Sequence, residues 1–375
     1  MSTADPPVVD VPARLGRLAA LAREADVAAV LVAPGPDLVY LTGYAAHPLE
    51  RLTLLAVPAR AEPFLVVPRL ERPAAEAAVS GVTVIDFSET DDPYAGTAAL
   101  LRGAGVEPGT VALDNRMWAE KSLRLAVALP GWVQQLAGPL IAQMRMRKDA
   151  AEVAALRAAA AAIDKVHQAM GDWLKPGRTE AGVAADIADA MVQVGHRSAD
   201  FTIVGSGPNG ASPHHESSRR VIHPGDPVVV DIGGTMRSGY CSDCTRTYVA
   251  GGEPPPDFLR YYEVLVRAQH ASCDHAQPGV TCASVDAAAR EVITEGGYGE
   301  YFIHRTGHGI GLSGHEDPYI VDGNEMLLEP GMAFSIEPGI YLPGRHGARI
   351  EDIVVTTDGG IERLDQLTRD LVVLG

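Results

Sequence analysis

The sequence predicts two domains, an α/β domain at the N-terminal end and a larger α+β domain that contains an internal pseudo-twofold repeat. A chain of 375 residues, of which 46% are hydrophobic and 21% charged, is long enough to bury two ordinary cores. Short apolar runs alternate with helical patterns over roughly the first 140 residues, and a unit of about 100 residues then occurs twice. We expect the domains to cover residues 1–145 and 146–375.

Alternating helix and strand patterns predict the N-terminal domain. Arg14–Glu24 has the spacing of an amphipathic helix, and Val27–Val32 is an apolar strand that ends at a Pro-Gly-Pro turn. Further short apolar runs are Leu52–Val57, Phe64–Val67, Val82–Phe87 and Val111–Leu113. The composition becomes basic at Met144–Asp149, and an alanine-rich helix is predicted from Ala150 to about Trp173. We therefore place the domain boundary there.

The second domain contains the repeat. Pro176-Gly177-Arg178-Thr179, followed by a helix to Gly195, matches Pro278-Gly279-Val280-Thr281, followed by a helix to Gly297, at an offset of 102 residues. In both copies threonine occupies the position of a helix N-cap and glycine the position where the helix should stop. The repeat predicts two similar helix-and-strand units packed about a pseudo-twofold axis.

Each copy also supplies two carboxylates. A strand ending in Asp231 corresponds to a strand ending in Glu337 at an offset of 106 residues, and Asp243 corresponds to Glu351 at an offset of 108. Packing about the axis would bring all four acids, together with His308, to one place. Any one of these acids alone is more often a helix cap or a solvated residue. Their equivalent positions in a repeat favour a common site.

A pair of divalent cations is the simplest partner for this group. An unpaired buried carboxylate costs roughly several kcal/mol, and no run of lysine or arginine lies nearby in sequence. Oxygen ligands with one imidazole suit hard or borderline divalent ions, and two such ions would balance four carboxylates. Two ions roughly 3.5–4 Å apart would activate a shared water and polarise a carbonyl group, which permits amide hydrolysis without a protein nucleophile.

Composition excludes several other classes of protein. A net charge of −17 argues against a nucleic acid or an anionic membrane as partner. No apolar run reaches the ~18 residues of a membrane span, and proline-rich Met1–Pro12 lacks a basic segment, so we expect a cytoplasmic location. The four cysteines do not suggest a disulfide framework. The C-x-x-C spacing of Cys241 and Cys244 lacks the second pair of a zinc site, so packing beside Asp243 is expected instead.

Five segments in one order carry a family resemblance. They are Val230-Asp231-Ile232-Gly233, Ser242-Asp243-Cys244-Thr245-Arg246-Thr247, Thr306-Gly307-His308-Gly309-Ile310-Gly311, Ile336-Glu337-Pro338-Gly339 and Arg349-Ile350-Glu351-Asp352. They resemble the metal-binding motifs of the "pita-bread" metallopeptidases, which include methionine aminopeptidase, aminopeptidase P and prolidase. Asp37–Tyr44 resembles the start of the N-terminal domain shared by creatinase, prolidase and aminopeptidase P. The resemblance implies a creatinase-like N-terminal domain and a pita-bread catalytic domain.

The resemblance also implies a role for each ligand. Asp231 and Asp243 would hold one metal ion, His308 and Glu337 the other, and Asp243 and Glu351 would bridge the two. The two aspartates are twelve residues apart, whereas eleven is the commoner family spacing. We expect the loop with glycine at both ends, residues 234–239, to absorb the extra residue as a bulge.

Other side chains match family positions around the metals. His214 and His315 match the two non-ligand histidines that contact the substrate or the tetrahedral intermediate, and His304 resembles a further histidine of aminopeptidase P. Arg349, two residues before Glu351, would orient the carboxylates. For a histidine alone, a structural role is commoner than a catalytic one. The motif context favours function for His214 and His315 and leaves His304 and Arg349 open.

The resemblance implies an Xaa-Pro dipeptidase that acts on short peptides, with an Xaa-Pro aminopeptidase as the alternative. Prolidases commonly bind the substrate carboxylate with an arginine soon after the residue that matches His315, but no arginine or lysine occurs from Glu316 to Ile336. Another segment or a partner subunit must supply that cation, or longer peptides are accepted. A non-peptidase hydrolase or lyase, or an inactive binding protein, remains open. Ligand hardness favours Mn²⁺ over Co²⁺, Fe²⁺ or Zn²⁺, and the family leads us to expect a homodimer.

Overall fold

The computed structural model describes residues 9–375. Residues 1–8, which include most of the Met1–Pro12 segment and the start of the predicted first domain, lie outside the described residues. The described residues up to Arg145 form one compact unit, and Met146–Gly375 form a second unit. Among residues 9–375, no helix combines the length and apolar character needed to cross a bilayer.

The first unit is an α/β domain, as predicted. Its helices and strands are α1 (Val11–Glu24), β1 (Val27–Val32), α2 (Pro36–Thr42), β2 (Leu54–Pro58), β3 (Phe64–Pro68), α3 (Arg72–Ala78), β4 (Thr83–Phe87), α4 (Pro93–Gly103), β5 (Thr110–Leu113), α5 (Ala119–Ala128), β6 (Val133–Leu136) and α6 (Gly138–Arg145). One sheet has the strand order β4-β3-β2-β1-β5-β6, with antiparallel pairs on both sides of β2 and parallel pairs elsewhere.

The strand predictions succeed where a strand is buried on both faces. Strand β1 has the predicted bounds, and its apolar residues are buried in the centre of the sheet. Strand β6 was not predicted, because Val133-Gln134-Gln135-Leu136 is short and half polar. It lies at the edge of the sheet with Val133 and Leu136 exposed, so burial does not select apolar residues there.

The second unit contains five α-helices, α7 (Ala150–Gln168), α8 (Met170–Trp173), α9 (Glu180–Gln193), α10 (Pro256–His275) and α11 (Cys282–Glu295). Three of them, α7, α9 and α11, begin with a side-chain cap. Asp149 caps α7 through a reciprocal box with Glu152. The single helix predicted from Ala150 to Trp173 is two helices that meet at Ala169.

The second unit contains two larger sheets and one separate hairpin. Its strands are β7 (His196–Ser206), β8 (Asp226–Met236), β9 (Cys241–Ala250), β10 (Gly307–Gly309), β11 (Glu316–Ile320), β12 (Ala333–Ile336), β13 (Gly339–Leu342), β14 (His346–Arg349), β15 (Asp352–Thr357), β16 (Gly360–Arg363) and β17 (Val372–Leu374). One sheet has the order β17-β9-β8-β7 and the other β11-β10-β12-β15-β16, while β13 and β14 pair with each other.

The two copies of the repeat have matching backbone contacts, which confirms the predicted internal symmetry. The amide of Gly177 donates to the carbonyl of Ile222 at 2.8 Å, and the amide of Gly279 donates to Leu328 at 2.8 Å. Helix α9 of the first copy corresponds to α11 of the second. Each copy therefore presents a helix and its neighbouring strands in the same arrangement.

Two local expectations were wrong. Asp231 does not end its strand but lies in the middle of β8, which continues to Met236. The register between β8 and β9 is regular from Asp226 to Thr235, so no bulge lies in either strand. The tight turn between Met236 and Cys241 therefore holds the extra residue outside the ladder.

Candidate metal centre

The five predicted ligands lie on strands of the second unit or directly beside them. Asp231 on β8 faces Thr245 on β9, and Asp243 is displaced from Thr245 by two residues, so all three side chains are on one face of this strand pair. His308 lies on β10, which pairs with β12, and Glu337 directly follows β12. Glu351 lies between β14 and β15. Each copy of the repeat contributes two of the carboxylates.

The ligand atoms form two overlapping groups. Asp231, Asp243 and Glu351 offer oxygen atoms within 4.8 Å of one another, and His308, Glu337 and Glu351 offer a second set within the same distance. Glu351 belongs to both groups, as expected of a bridging ligand. Asp243 also approaches His308, with 3.6 Å between its Oδ2 and the imidazole Nε2.

A backbone contact orients His308. Its Nδ1 lies 3.1 Å from the carbonyl oxygen of Gly309, and because a carbonyl only accepts, Nδ1 carries the proton. The unprotonated Nε2 then points towards Glu337, whose Oε1 is 3.3 Å away. Burial, together with the neighbouring His315, lowers the pKa of His308 to about 3. A neutral imidazole with its Nε2 lone pair exposed is suited to bind a metal ion.

The carboxylates cannot all be charged without a cation. Burial, reinforced by Glu351, Asp231 and Glu337, raises the pKa of Asp243 well above its usual value. Burial, together with repulsion from Glu337 and Asp231, raises the pKa of Glu351 well above its usual value. Burial raises the pKa of Glu337 to about 7, although Arg349 opposes the shift. These shifts show a concentration of negative charge that one arginine does not neutralise.

This chemistry fits a pair of divalent ions. The four carboxylates and neutral His308 would carry −4, and the buried Arg349 supplies a single positive charge. The hydroxyl of Thr245 lies 2.9 Å from Asp231 and 2.7 Å from Glu351, yet it has only one proton to donate. The group therefore has more acceptor oxygens than protein donors, and metal ions would satisfy the remainder.

Arg349 orients the centre from one side. Its guanidinium donates to Asp231, and its Nε donates to the hydroxyl of Thr245 at 3.1 Å. A third bond reaches the hydroxyl of Tyr341 at 2.7 Å, and that hydroxyl lies 2.9 Å from Nε2 of His304. Burial raises the pKa of Tyr341 to about 12, so it stays protonated and donates to His304. Tyr341 was missed because it lies outside the motifs.

His214, His304 and His315 line the same cavity as the five ligands. The cavity has a volume of about 820 Å³, and Phe201, Ile203 and Ile303 form apolar parts of its wall. His315 packs against His308 with 3.8 Å between ring centroids. One nitrogen of His315 also lies within 4.8 Å of ligand atoms of Asp243 and His308, so this exposed histidine is closer to the centre than expected.

A single buried glutamate outside the metal centre, which the sequence analysis did not predict, anchors the loop that carries His214. The carboxylate of Glu180, at the start of α9, is fully buried and accepts from Ser206 Oγ at 2.6 Å and Ser218 Oγ at 2.7 Å. It also accepts from Asn209 and His215. Although burial would raise the pKa of Glu180, these hydrogen bonds lower it to about 2.

Another buried group has its own positive partner, Arg246. Asp164, Cys244 and Asp365 bring potential ligand atoms within 4.8 Å of one another. Arg246 donates to the thiol sulfur of Cys244 at 3.6 Å and opposes the negative charge there. All four cysteines lie in the described part of the chain and are free thiols, so nothing contradicts the packing role expected of Cys241 and Cys244.

A buried carboxylate and histidine centre that lines a cavity, built from both halves of an internal repeat, defines a metal-dependent hydrolase. The profile described as "Metallopeptidase family M24" matches residues 154–358, and the "Creatinase/Prolidase N-terminal domain" matches residues 14–147. The chain belongs to metallopeptidase family M24, which confirms the resemblance found in the sequence.

Related proteins support this assignment over the whole chain. The chain is 51% identical to the "Probable dipeptidase PepE" of Mycobacterium tuberculosis, with 96% of each sequence covered. It is 39% identical to the "Xaa-Pro dipeptidase" of Lactobacillus delbrueckii subsp. lactis, covering 89% of this chain and 92% of the other. The crystal structure of dipeptidase PepE from Mycobacterium ulcerans superimposes with a TM-score of 0.92 at 52% identity, covering 97% of this chain and 98% of that one.

Proposed function

We propose that this protein is an Xaa-Pro dipeptidase that uses two divalent metal ions to hydrolyse the bond before proline in dipeptides. The observation that carries the proposal is the pair of overlapping ligand groups that share Glu351. Asp231 and Asp243 would hold one ion, His308 and Glu337 the other, and Asp243 and Glu351 would bridge them. The names of the relatives, two of them dipeptidases and one an Xaa-Pro dipeptidase, support the substrate class.

The surrounding residues have separate tasks in this proposal. Bound ions would activate a water molecule and polarise the carbonyl group of the scissile bond. Arg349 fixes Asp231 through a direct hydrogen bond, and Tyr341 joins Arg349 to His304. His214 and His315 line the cavity where a substrate would bind, so we assign them to contacts with the substrate and the developing oxyanion.

Metal identity, assembly and location belong to the same proposal. One imidazole among four carboxylates makes a hard ligand set, which favours Mn²⁺, although Co²⁺, Fe²⁺ and Zn²⁺ would also bind. We infer a homodimer in the cytoplasm. The homodimer rests on the family resemblance, and four free thiols suit a reducing compartment.

A peptide panel tests the proposal. Purified protein supplied with Mn²⁺ should release the N-terminal residue from Xaa-Pro dipeptides, and a chelator should abolish turnover until Mn²⁺ is restored. Asp243→Asn should lose more than about 100-fold in kcat/KM and fail to take up two equivalents of metal, because it removes a bridging charge. Asp186→Asn, on the surface of α9, is the matched control and should behave like the wild type.

The alternative is an Xaa-Pro aminopeptidase that prefers longer peptides. The specific observation in its favour is the absence of lysine and arginine from residue 316 to residue 336. Faster cleavage of Xaa-Pro-Gly tripeptides than of Xaa-Pro dipeptides would establish it. Stoichiometric metal binding without cleavage of either peptide would refute a peptidase function altogether.

A further inference from the structure

Arg305 has an unusual environment for a basic side chain in this cavity. It lies between His304 and the segment that carries His308, and its side chain lines the cavity wall. Its Nη2 is 3.3 Å from Nδ1 of His315, and its guanidinium carbon lies 4.5 Å from the centroid of the Tyr319 ring. A guanidinium stacked on an aromatic face keeps its N–H groups available at its edge.

No carboxylate of residues 9–375 forms an ion pair with Arg305, whose side-chain contacts are those with His315 and Tyr319. The other arginine that lines the cavity differs, because Arg349 is buried and bonded to Asp231. Arg305 is half-buried, so part of its surface faces the space in which a ligand would bind. It is a cation without an anionic partner at the edge of an acidic centre.

The position of Arg305 suits the far end of a short substrate. One hydrogen bond joins Arg305 to His315, and His315 stacks on His308 with 3.8 Å between ring centroids. Arg305 is thus separated from the candidate metal ligands by a single imidazole. An extended dipeptide is also short, roughly 7 Å at about 3.3–3.6 Å per residue, so its C-terminal carboxylate would lie only a few ångströms beyond the scissile bond.

We propose that Arg305 binds the C-terminal carboxylate of the substrate and so makes the enzyme select dipeptides. The inference rests on the proposed dipeptidase function and names the cation that the segment after His315 lacks. Tyr319, four residues after His315 on β11, supplies an aromatic face instead of a charge. Arg305, which lies just before β10, stacks over this face. Arg305 thereby supplies a guanidinium beside Tyr319, although residues 316–336 contain no arginine or lysine.

Electrostatics favour such a residue. The protein has a net charge of −17, and the two ions would already be balanced by the four carboxylates that line this cavity, so a substrate carboxylate gains from a further local cation. A guanidinium can bind a carboxylate through two parallel hydrogen bonds. In a longer peptide the proline carbonyl is followed by an uncharged peptide bond, which would gain much less from Arg305.

Arg305 also fixes the tautomer of His315. A guanidinium only donates, so Nδ1 of His315 must accept the hydrogen bond, which leaves the proton on Nε2. His315 can then donate to a substrate oxygen from Nε2. One residue would therefore bind the carboxylate and orient the neighbouring histidine.

Paired substrates test the assignment. Leu-Pro and Leu-Pro amide differ only in the terminal charge, and the wild-type enzyme loaded with Mn²⁺ should prefer the acid in kcat/KM by about 10- to 100-fold, chiefly through KM. Arg305→Gln should raise KM for Leu-Pro to the level of the amide, so that the ratio of the two kcat/KM values falls to about one. Arg305→Lys should recover part of the preference, because it keeps the charge but loses the fork geometry.

Variants of Tyr319 test the orientation of Arg305. Tyr319→Phe keeps the aromatic face and should retain the preference for the acid, whereas Tyr319→Ala should reduce it several-fold. Arg157→Gln, which alters an exposed arginine paired with Glu362, should leave the preference unchanged. Circular dichroism and thermal unfolding of each variant establish that it is folded.

The possible outcomes are distinct. If the wild-type enzyme cleaves Leu-Pro and Arg305→Gln keeps the wild-type ratio of acid to amide, the assignment of Arg305 is wrong and the dipeptidase function stands. Equal losses for acid and amide in Arg305→Gln would also overturn it, since a carboxylate contact acts on the acid alone. If the wild-type enzyme with two bound metal ions cleaves neither substrate, the proposed function and the assignment both fail.

Discussion

Glu180 illustrates what a single buried carboxylate does in this protein. It lies at the start of α9, yet its partners Ser206, Asn209, His215 and Ser218 are 26 to 38 residues further along the chain. A buried charge with this many donors is compensated without a cation. Because His214 lies within the segment that Glu180 binds, the position of a cavity-lining histidine depends on a residue outside the cavity.

We predict that Glu180→Gln lowers both stability and activity. The amide nitrogen of glutamine would face the donors Ser206 and Ser218, so at least one hydrogen bond is lost and the free energy of unfolding should fall by about 2–3 kcal/mol. The displaced loop should reduce kcat/KM roughly tenfold. Urea unfolding and steady-state kinetics on an Xaa-Pro dipeptide measure the two effects.

Glu362→Gln is the matched control for this change. Glu362 forms an exposed pair with Arg157, so its loss should change stability by less than about 1 kcal/mol and leave kinetics unaltered. If Glu180→Gln and Glu362→Gln proved equally mild, Glu180 would not hold the His214 loop in place.

At the scale of elements, the repeat helices share one capping device. The hydroxyl of Thr179 accepts from the amide of Gly182 at 3.2 Å, and the hydroxyl of Thr281 accepts from the amide of Ser284 at 3.1 Å. The residue directly after the capping threonine differs between the copies: it is Glu180 in the first and Cys282 in the second. The cap is common to both copies, whereas the buried acid is a property of the first copy alone.

The caps should contribute similarly in both copies. Thr179→Ala and Thr281→Ala should each lower the free energy of unfolding by about 1 kcal/mol, since each removes one acceptor for a helix amide. Thr→Ser at the same positions keeps the acceptor and should cost much less. Urea denaturation followed by circular dichroism measures these differences, and a cost of Thr→Ser equal to that of Thr→Ala would contradict the capping explanation.

At the scale of the whole catalytic unit, the strands that carry the ligands are joined by buried ionic and histidine contacts. Asp352, next to Glu351, is completely buried and pairs with Arg246, Arg363 and Arg369. His167 also contacts β9, with 3.2 Å to the carbonyl oxygen of Cys244 and 3.0 Å to the hydroxyl of Tyr248. Both contacts tie the strand that carries Asp243 to its surroundings.

His167 gives the unit a stability that decreases in acid. Burial, together with the charge of Arg246, lowers the pKa of His167 to about 3 from its usual 6.5. Between those pH values the unfolded chain binds a proton that the folded chain does not, so stability falls as the pH decreases below 6.5. The contribution is up to about 1.4 kcal/mol per pH unit.

His167→Gln should therefore flatten the dependence of stability on pH. Urea unfolding midpoints measured between about pH 7 and 5 should decrease less steeply for His167→Gln than for the wild type. His270→Gln, which alters an exposed histidine of α10, is the control and should follow the wild type. Parallel curves for all three proteins would show that His167 does not contribute to the acid sensitivity.

The sequence by itself determined the class of fold, the repeat and the candidate ligands. Buried strands such as Val27–Val32 can be predicted from the sequence, because burial on both faces requires an unbroken apolar run. Thr179 and Thr281 mark helix starts because capping depends on residues only three positions apart. The ligand motifs were readable because each is a short segment whose residues serve the same centre.

Only the tertiary structure decided which distant residues meet. Glu180 and Tyr341 show no local signal, since their partners are brought near by packing between elements far apart in the chain. The sequence gives no sign of a role for Arg305, because its contact with Tyr319 and its place in the cavity wall exist only in the folded chain. Local patterns specify local structure because they act over a few residues, whereas a binding cavity is defined by contacts that exist only after the chain has folded.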